Sequence, residues 1–352
     1  MKLPLIFLVA YLLCPTSSRG QDQSVPKVSV KGIVVDDSTG APLPLANIFV
    51  AGTTIGTAAK PDGTFLLRGV PVGVQQIVAS IVGYQPASKS LRLADSTVQE
   101  IQLRLRSRPV QMSTIEIEAR DPVEWRKYLE RFLLQFFGTT PNAGECRLQN
   151  PEVIDFSYDE GSDRLTATAR SPLEIENRAL GYHVQCILLI FLHSPDTFQY
   201  TGMTAFRPLK PADTMEANLW KANRRESYLG SKRHFLHSLV KKNTKAEGFA
   251  VNMLKTEWIE KSVARPFGFE MNPDELLEPG DVPYERIMSI QVPIQIIYTH
   301  NGVRRISVID LHGPTLTVFT NGLTANPLGL WTFGYWSTQR GAEMLPADYE
   351  PE

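Results

Sequence analysis

The sequence predicts an all-β N-terminal sandwich of about seven strands, followed by an α+β domain with a mainly antiparallel sheet and about three helices. Short β-branched runs separated by turn residues predict the sandwich over residues 28–105. Apolar residues at helical spacing after residue 121, and alternating runs after residue 150, predict the second domain over residues 121–352. Residues 106–120 are expected to form a linker that contains one short strand.

The composition is that of an ordinary globular protein with room for about two or three domains. The chain has 352 residues, of which 43% are hydrophobic and 21% are charged, so bulk disorder is not expected. Its formal net charge of -1 creates no overall field that would attract polyanions. We therefore expect no nucleic-acid partner.

Residues 1–20 have the pattern of a secretory signal peptide. One positive charge precedes an apolar run at residues 3–13, which is far shorter than a membrane span. Small residues at the -3 and -1 positions predict cleavage after Gly20. Lipidation at Cys14 is the less favoured alternative, because Leu13 stands where a lipobox has a small residue. The chain is therefore expected to be exported, to the periplasm or to a peripheral place on the outer membrane.

The sandwich prediction depends on evenly spaced strands and on defined turns. Six runs have strand composition, at residues 30–35, 46–50, 64–67, 74–82, 88–93 and 98–105. Between them, segments with Gly40, Gly63 and Gly73 have turn composition, and the turn at Gly63 can adopt a positive φ. Strict alternation in the run at 74–82 predicts a strand with at least one buried face.

Six short motifs in this module resemble the carboxypeptidase-regulatory-like domain, which is a transthyretin-like sandwich. They are GIVVD at 32–36, TGAPL at 39–43, ANIFV at 46–50, GTTIGT at 52–57, DGTF at 62–65 and GY at 83–84. Gln75 departs from the family, which usually has an aromatic residue there. The resemblance implies an accessory module, as found in exported enzymes and in the N-terminal extensions of TonB-dependent receptors. It implies docking or folding support and no catalysis of its own.

The histidines do not have the spacing of a zinc carboxypeptidase. Glutamate does not stand three positions after any of them, namely His183, His193, His234, His237, His300 and His312. His234 and His237 lie three apart on a predicted helix and could supply two metal ligands, but no third ligand is suggested. We predict no catalytic, cofactor-binding or metal-binding residues and no cofactor.

The second domain is predicted to begin with a helix at residue 121. Its apolar stripe ends at Gly138 and consists of Trp125, Leu129, Phe132, Leu133 and Phe136. Two cysteines follow, Cys146 and Cys186. In an oxidising compartment they could form a disulfide, and the alternative is two buried thiols.

The rest of the chain alternates between strands and one helical stretch. Strands are predicted at residues 153–158, 164–168, 173–177 and 182–193, with an antiparallel return at 197–208, and again at 292–299, 304–311 and 315–320. Residues 213–247 are predicted to form two helices divided by Gly230. Residues 262–282 are predicted to form a long surface loop.

The helical stretch is the most basic part of the chain and is the predicted interaction surface. Its residues are Lys221, Arg224, Arg225, Lys232, Arg233, Lys241 and Lys242. A solvated helical face is the competing interpretation. Exposed aromatics near the C-terminus, Trp331, Tyr335 and Trp336, could bind sugar, although the segment equally fits a core strand.

Further motifs resemble Bacteroidota proteins that contain a carboxypeptidase-like regulatory domain, and this resemblance covers nearly the whole exported chain. They lie at residues 136–143, 150–153, 172–177, 179–182 and 230–235. That family is known by its domain content, so the resemblance implies no reaction and no catalytic positions.

The leading hypothesis is a non-catalytic exported envelope protein, an interaction or scaffold module whose β-sandwich docks a partner protein or a glycan. The first alternative is an uncharacterised hydrolase that uses Ser231, His234, or the acidic pair Glu174 and Glu176. The second is an accessory component of a TonB-dependent outer-membrane uptake system. The sequence does not set the oligomeric state.

Overall fold

The computed structural model describes residues 26–94, 98–108, 122–254 and 268–351. These residues form an N-terminal sandwich and a larger second region that contains three sheets and four α-helices. The predicted leader and most of the predicted linker, including its strand, lie outside the described residues.

The N-terminal module consists of two facing sheets with seven strands. The strands are β1 (Lys27–Asp36), β2 (Asn47–Val50), β3 (Gly56–Ala58), β4 (Thr64–Pro71), β5 (Gly73–Ser80), β6 (Ala87–Leu93) and β7 (Gln99–Leu105). One sheet has the order β4-β1-β7 and the other β3-β2-β5-β6. The predicted all-β sandwich is confirmed. The strand β3 escaped prediction because its three residues are too few to show alternation.

The core of the sandwich is filled by the apolar residues that alternate along its strands. Val34, Ile48, Leu67, Ile77 and Leu105 are each 1% exposed or less. Because successive strand residues point to opposite faces, these side chains meet between the two sheets. Their removal from water is what stabilises the module.

Asp36 connects two of the motifs that are distant in sequence. Its carboxylate accepts hydrogen bonds from the backbone N–H groups of Ser38 (2.9 Å) and Thr39 (2.8 Å), and from the hydroxyl of Tyr84 (3.0 Å). The Ser38 hydroxyl also donates to it, and these bonds hold the pKa of Asp36 well below its usual range. The turn after β1 is therefore tied to the Gly-Tyr motif.

The second region begins with one helix on a six-stranded sheet. Its elements are α1 (Pro122–Phe137), β8 (Cys146–Leu148), β9 (Ile154–Asp159), β10 (Arg164–Ala169), β11 (Leu173–Asn177), β12 (Tyr182–His193) and β13 (Phe198–Pro208). The long strand β12 pairs with β11 and β10 along one edge and with β13 along the other. All of these pairs are antiparallel, as predicted.

Aromatic rings hold α1 on this sheet. Phe132 packs against Phe191 of β12 with ring centroids 4.5 Å apart, and Phe136 packs against Tyr200 of β13 at 5.2 Å. Phe132 and Phe136 are fully buried. The apolar stripe of this helix therefore belongs to the core.

The remaining elements are the helix α2 and a second layer that packs around α3. They are α2 (Thr214–Tyr228), α3 (Lys232–Val240), β14 (Phe249–Leu254), β15 (Gly268–Glu270), β16 (Leu277–Pro279), β17 (Glu285–Met288), β18 (Ile294–His300), β19 (Val303–Leu311), β20 (Leu316–Phe319), β21 (Leu330–Gly334) and α4 (Tyr335–Thr338). Five strands have the order β15-β14-β18-β19-β21, and β16-β17-β20 form a small sheet. Phe235 and Leu239 of α3 are buried in this layer.

The loop predicted at residues 262–282 is wrong in its described part. Strands β15 and β16 lie within it, and each pairs antiparallel with a neighbour at the edge of its sheet. Both have three residues, and Pro and Gly surround them. A strand this short shows no periodicity, so turn composition dominated the prediction.

The sandwich packs directly on the second region. Phe49 of β2 and Val78 of β5 form a buried apolar cluster with Ile187 of β12 and Met203 of β13. As a result β5 is buried on both faces at this point. The alternation in its sequence predicted at least one buried face. The outer face of the β2–β5 sheet is an internal interface in this chain.

Backbone hydrogen bonds extend the same interface along the edge of β13. Thr53 forms a parallel bridge with Ala205, the N–H of Gly52 donates to the carbonyl of Thr204 (2.6 Å), and the N–H of Phe206 donates to the carbonyl of Thr53 (3.0 Å). An unpaired strand edge is a site for unwanted association. The GTTIGT motif therefore covers an edge that would otherwise be open.

Candidate ligand-binding cleft

The turn between α2 and α3 organises the second region. Gly230 has a φ of +74°, and a Cβ there would lie 2.4 Å from the ring of Tyr298, so glycine is required. Ser231 then caps α3, since its hydroxyl accepts a hydrogen bond from the N–H of His234 (3.1 Å). These two residues fix where the helix begins and where its first side chains lie.

Arg233, one of the residues predicted to form an exposed surface, instead holds the C-terminal tail. Its guanidinium donates to the carbonyls of Pro346 (2.8 Å), Ala347 (2.5 Å) and Tyr349 (3.0 Å). The tail in turn bonds the sandwich, because the N–H of Ala347 donates to the carbonyl of Gly52 (2.7 Å). Arg233 therefore connects α3 to the sandwich through the tail.

The seven predicted basic residues do not form one surface. Lys221, Arg225, Lys241 and Lys242 are exposed, whereas Arg224, Lys232 and Arg233 are partly buried. Arg224 donates to the carbonyl of Leu180 (2.7 Å), and its guanidinium carbon lies 4.2 Å from the ring centroid of Tyr182. Of the three arginines in the set, Arg224 and Arg233 donate hydrogen bonds to backbone carbonyl oxygens. The charge pattern of a sequence does not reveal such contacts.

The residues considered for hydrolysis have structural roles. His234 is 4% exposed, and its Nδ1 accepts from the N–H of Gly230 (3.0 Å) while its Nε2 lies 3.2 Å from Glu247. The Ser231 hydroxyl caps the helix, as described above. His234 does not activate Ser231, because both of its ring nitrogens contact other groups.

The two glutamates of β11 also form ion pairs or hydrogen bonds with neighbouring side chains. Glu174 lies 3.2 Å from Nε2 of His183 and accepts from Nε2 of Gln185 (2.8 Å). Glu176 pairs with Arg178 (2.5 Å). The two carboxylates share one face of the strand, as predicted.

Cys146 and Cys186 are buried free thiols that the fold does not bring together. Cys146 of β8 pairs with Asn177 of β11, and Cys186 of β12 pairs with Leu173 at the other end of β11. One strand and four register positions therefore separate the sulfurs, beyond the reach of a disulfide. Burial raises the pKa of each thiol to about 12.

An open cleft of about 680 Å³ lies between the six-stranded and the five-stranded sheets. Its floor is the face of β12 and β13 with Cys186, Tyr200, Gly202 and Thr204, and its walls carry Ser227, Tyr228, Ser231 and Lys232 on one side and Thr332, Trp336, Arg340 and Glu343 on the other. Ligand sites of proteins have volumes of about 300–1,000 Å³. The cleft is therefore the candidate functional site.

Gly202 shapes the floor of this cleft. A Cβ at this position would lie 2.7 Å from the carbonyl oxygen of Ile187 and 2.9 Å from Sγ of Cys186. A glycine inside a strand often marks a close approach of other atoms. A glycine in the middle of a predicted strand is therefore a sequence signal for this part of the cleft.

The charged groups of the cleft differ in how they are satisfied. Glu343 accepts hydrogen bonds from Nδ2 of Asn142 (2.9 and 3.0 Å) and from the hydroxyl of Ser227. Arg340 donates to the carbonyl of Gln135 (2.8 Å). Within the described ranges, the ammonium of Lys232 has neither an ion pair nor a hydrogen bond.

The aromatic residues near the C-terminus are divided between core and surface. Trp336 is 5% exposed, and its indole N–H donates to the carbonyl of Gly230 (2.7 Å). Tyr335 packs under Arg305, whose guanidinium carbon lies 4.7 Å from its ring centroid. Trp331 is 47% exposed and contacts His312. Of the three, Trp336 lines the cleft.

Two kinds of feature are absent from the part of the chain that the structure describes. Three or more His, Cys, Asp or Glu side chains are nowhere arranged there to hold a metal ion. No helix in the same residues is both long and apolar enough to cross a membrane.

Comparison with known families identifies the N-terminal module. Residues 30–117 match the family model described as the CarboxypepD_reg-like domain. The module is a carboxypeptidase-regulatory-like domain. A segment of 65 residues is also 45% identical to the TonB-dependent receptor SusC of Bacteroides thetaiotaomicron, covering 18% of this chain and 6% of the receptor. The chain thus spans a small part of that relative's length.

Solved structures share little with the chain as a whole. The shaft pilin SpaA of Lactobacillus rhamnosus GG has a TM-score of 0.21 at 11% identity, with 24% of this chain and 47% of the pilin covered. A Bacteroides uniformis structure, provisionally named a carbohydrate binding protein, also has a TM-score of 0.21, at 7% identity and 84% and 99% coverage. Scores at this level carry no argument about fold or function.

Buried histidines predict a loss of stability in acid. Burial, followed by the charges of Lys241 and Arg233, lowers the pKa of His237 to about 4, and its Nδ1 contacts the hydroxyl of Tyr228 (3.0 Å). The unfolded chain binds a proton near its ordinary value of about 6.5. The contribution of His237 to the free energy of unfolding is therefore fully present above about pH 6.5. It is lost as the pH drops towards about 4.

Urea denaturation between about pH 7 and about pH 4.5 tests this dependence. We expect the free energy of unfolding to fall with pH, and to fall less steeply in His237→Gln. The matched control is His312→Gln, at an exposed histidine. An equally steep decline in wild type and His237→Gln would show that this imidazole does not contribute.

Proposed function

We propose that this chain is a non-catalytic binding protein of a Gram-negative envelope, and that the cleft between its two large sheets is the binding site. The observation that carries the proposal is the cleft itself, an open space of about 680 Å³ lined by aromatic rings, hydroxyl groups and one unpaired ammonium. Such a mixture of apolar surface and a few placed polar groups is typical of ligand sites.

The contacts of the side chains considered for catalysis support a non-catalytic role. The hydroxyl of Ser231 caps α3, both ring nitrogens of His234 contact other groups, and Glu174 pairs with His183. Each of these groups already stabilises the fold. The family of the N-terminal module also describes a regulatory-like domain rather than an enzyme.

The lining favours a glycan as the ligand. Phe333, which is 37% exposed, presents aromatic surface, and Tyr200, Thr204 and Thr332 present hydroxyl groups. A sugar ring offers an apolar face and a rim of hydroxyl groups, which such a lining matches. A partner protein would need a broader contact surface than an inward cleft provides.

In this proposal the sandwich supports the site and does not itself hold the ligand. Its outer face packs on β12 and β13, whose opposite face forms the floor of the cleft. Burying Phe49 and Val78 against this sheet restricts its movement. The sandwich thus docks on the chain's own second region.

Filling the cleft tests the location of the site. Thr332→Tyr places a larger side chain in the wall, and we expect it to weaken glycan binding at least about tenfold, since one wrongly placed group costs this much. The measurement is a glycan-array screen of the exported form, followed by calorimetry with the best ligand. Thr299→Tyr, on an exposed position of β18, is the matched control. Unchanged binding by Thr332→Tyr would place the site elsewhere.

A second candidate function is an accessory role in a TonB-dependent uptake system. The observation that favours it is the 45% identity to the receptor SusC, which concerns 65 residues. Shared sequence over that length would allow a shared docking partner in the envelope. In-cell crosslinking of the tagged protein, followed by mass spectrometry of the envelope fraction, should recover one receptor in near-equal amount. Recovery of no reproducible partner would contradict this role.

A further inference from the structure

We propose that the cleft recognises an acidic saccharide, and that the ammonium of Lys232 together with the N-terminus of α3 binds the saccharide's carboxylate. This inference rests on the proposed function, because it names the class of ligand for the same site. It is carried by the placement of one unpaired cation in a cleft whose other charges are already satisfied.

Lys232 is the first residue of α3 and lines the cleft. Its side chain is partly buried among the residues that line the cleft. This burial lowers the pKa of Lys232, and no neighbouring carboxylate in the described structure offsets it. A desolvated cation without a partner is costly to the fold, so a counter-ion supplied by a ligand would be bound favourably.

The backbone at the same place also favours an anion. The first intrahelical bond of α3 runs from the N–H of Phe235 to the carbonyl of Ser231, and the Ser231 hydroxyl accepts from the N–H of His234. The N–H groups of Lys232 and Arg233 precede these donors and have no acceptor within the helix. The positive end of the helix dipole adds to the charge of the ammonium.

The other charged residues of the cleft leave its interior positive. Arg340 donates to a carbonyl oxygen, which satisfies a hydrogen bond without cancelling its charge, whereas Asp348 and Glu350 of the tail partly offset the charge of Arg233. Glu343 is held by Asn142 and Ser227, and Asp196 is exposed at the rim. An anionic group inside the cleft would therefore meet three cationic side chains and one engaged carboxylate.

The neighbouring lining indicates that the anion is part of a sugar. Burial raises the pKa of Tyr200 to about 12, so its hydroxyl stays protonated and can donate a hydrogen bond. Thr204 and Thr332 add hydroxyl groups that can donate or accept. A hexuronic acid combines one carboxylate with a ring of hydroxyl groups, and it matches both parts of this lining.

Paired ligands test the inference directly. Calorimetry would compare glucuronate- and galacturonate-containing oligosaccharides with their carboxyl-reduced forms, which differ only in the charged group. We expect wild type to bind the acidic member of a pair at least about tenfold more tightly, the usual effect of a hydrogen bond to a charged group. Lys232→Gln should lose this preference and keep the weaker binding of the neutral form. Lys241→Gln, at the exposed end of α3, should behave as wild type.

Stability supplies a readout that does not depend on the ligand. Because Lys232 is a partly buried charge without an ion-pair partner in the described structure, we expect Lys232→Met to raise the melting temperature by about 2 °C or more while it abolishes the acidic preference. Lys241→Met should leave both quantities unchanged. A folded and more stable variant that no longer distinguishes the ligands would exclude misfolding as the cause.

The failures of the two proposals can be told apart. If the reduced saccharides bind wild type as tightly as the acidic ones, and Lys232→Gln binds both equally well, the inference is overturned while the binding cleft stands. If wild type binds none of these saccharides and none on the glycan array, both proposals fall. A preference that survives in Lys232→Gln would also overturn the assignment of the carboxylate to this residue.

Discussion

The structure depends on the arginine that holds the C-terminal tail. Arg233 lies in the first turn of α3 and donates to three carbonyl oxygens between Pro346 and Tyr349. The tail passes on to Gly52 and Thr54 of the sandwich, where Asp348 accepts from the N–H of Thr54 (3.0 Å). A planar guanidinium can satisfy several carbonyls at once, which a lysine ammonium cannot do in the same geometry. One side chain thus connects the helix, the tail and the sandwich.

This connection also sets the shape of the cleft. Because α3 is fixed at its N-terminus by the Arg233 contacts and by the Ser231 cap, Lys232 between them is held in the cleft wall. The floor is fixed from its other side by Phe49 of the sandwich. A rigid frame of this kind can hold a partly buried cation in place without an ion-pair partner, whereas a loosely packed region would expose it to water. In the proposed function, a ligand that supplies the counter-ion would recover this cost in stability.

The sequence predicted the architecture well and the site poorly, for a physical reason. Strand β12 could be predicted over its full length of Tyr182–His193, because long apolar runs and turn residues are local signals. The roles of Lys232 and Arg233 could not be predicted, because the sequence pattern of a basic residue is the same whether it faces water, carbonyl oxygens or a cleft. Lys232 and Arg233 are adjacent in one helical turn, yet within the described residues Arg233 donates to carbonyl oxygens and Lys232 does not. Contacts with residues distant in sequence determine this difference.

Hydrogen exchange on Arg233→Lys tests the central claim most directly. If the arginine connects the helix to the sandwich through the tail, the amides of Gly52, Ala347 and Phe206 should exchange at least about tenfold faster in the variant, while amides in β12 keep their protection. Arg225→Lys, at an exposed position of α2, should exchange as wild type does. Unchanged protection at these three amides would contradict the account, because it would show that the sandwich, the tail and α3 hold together without this side chain.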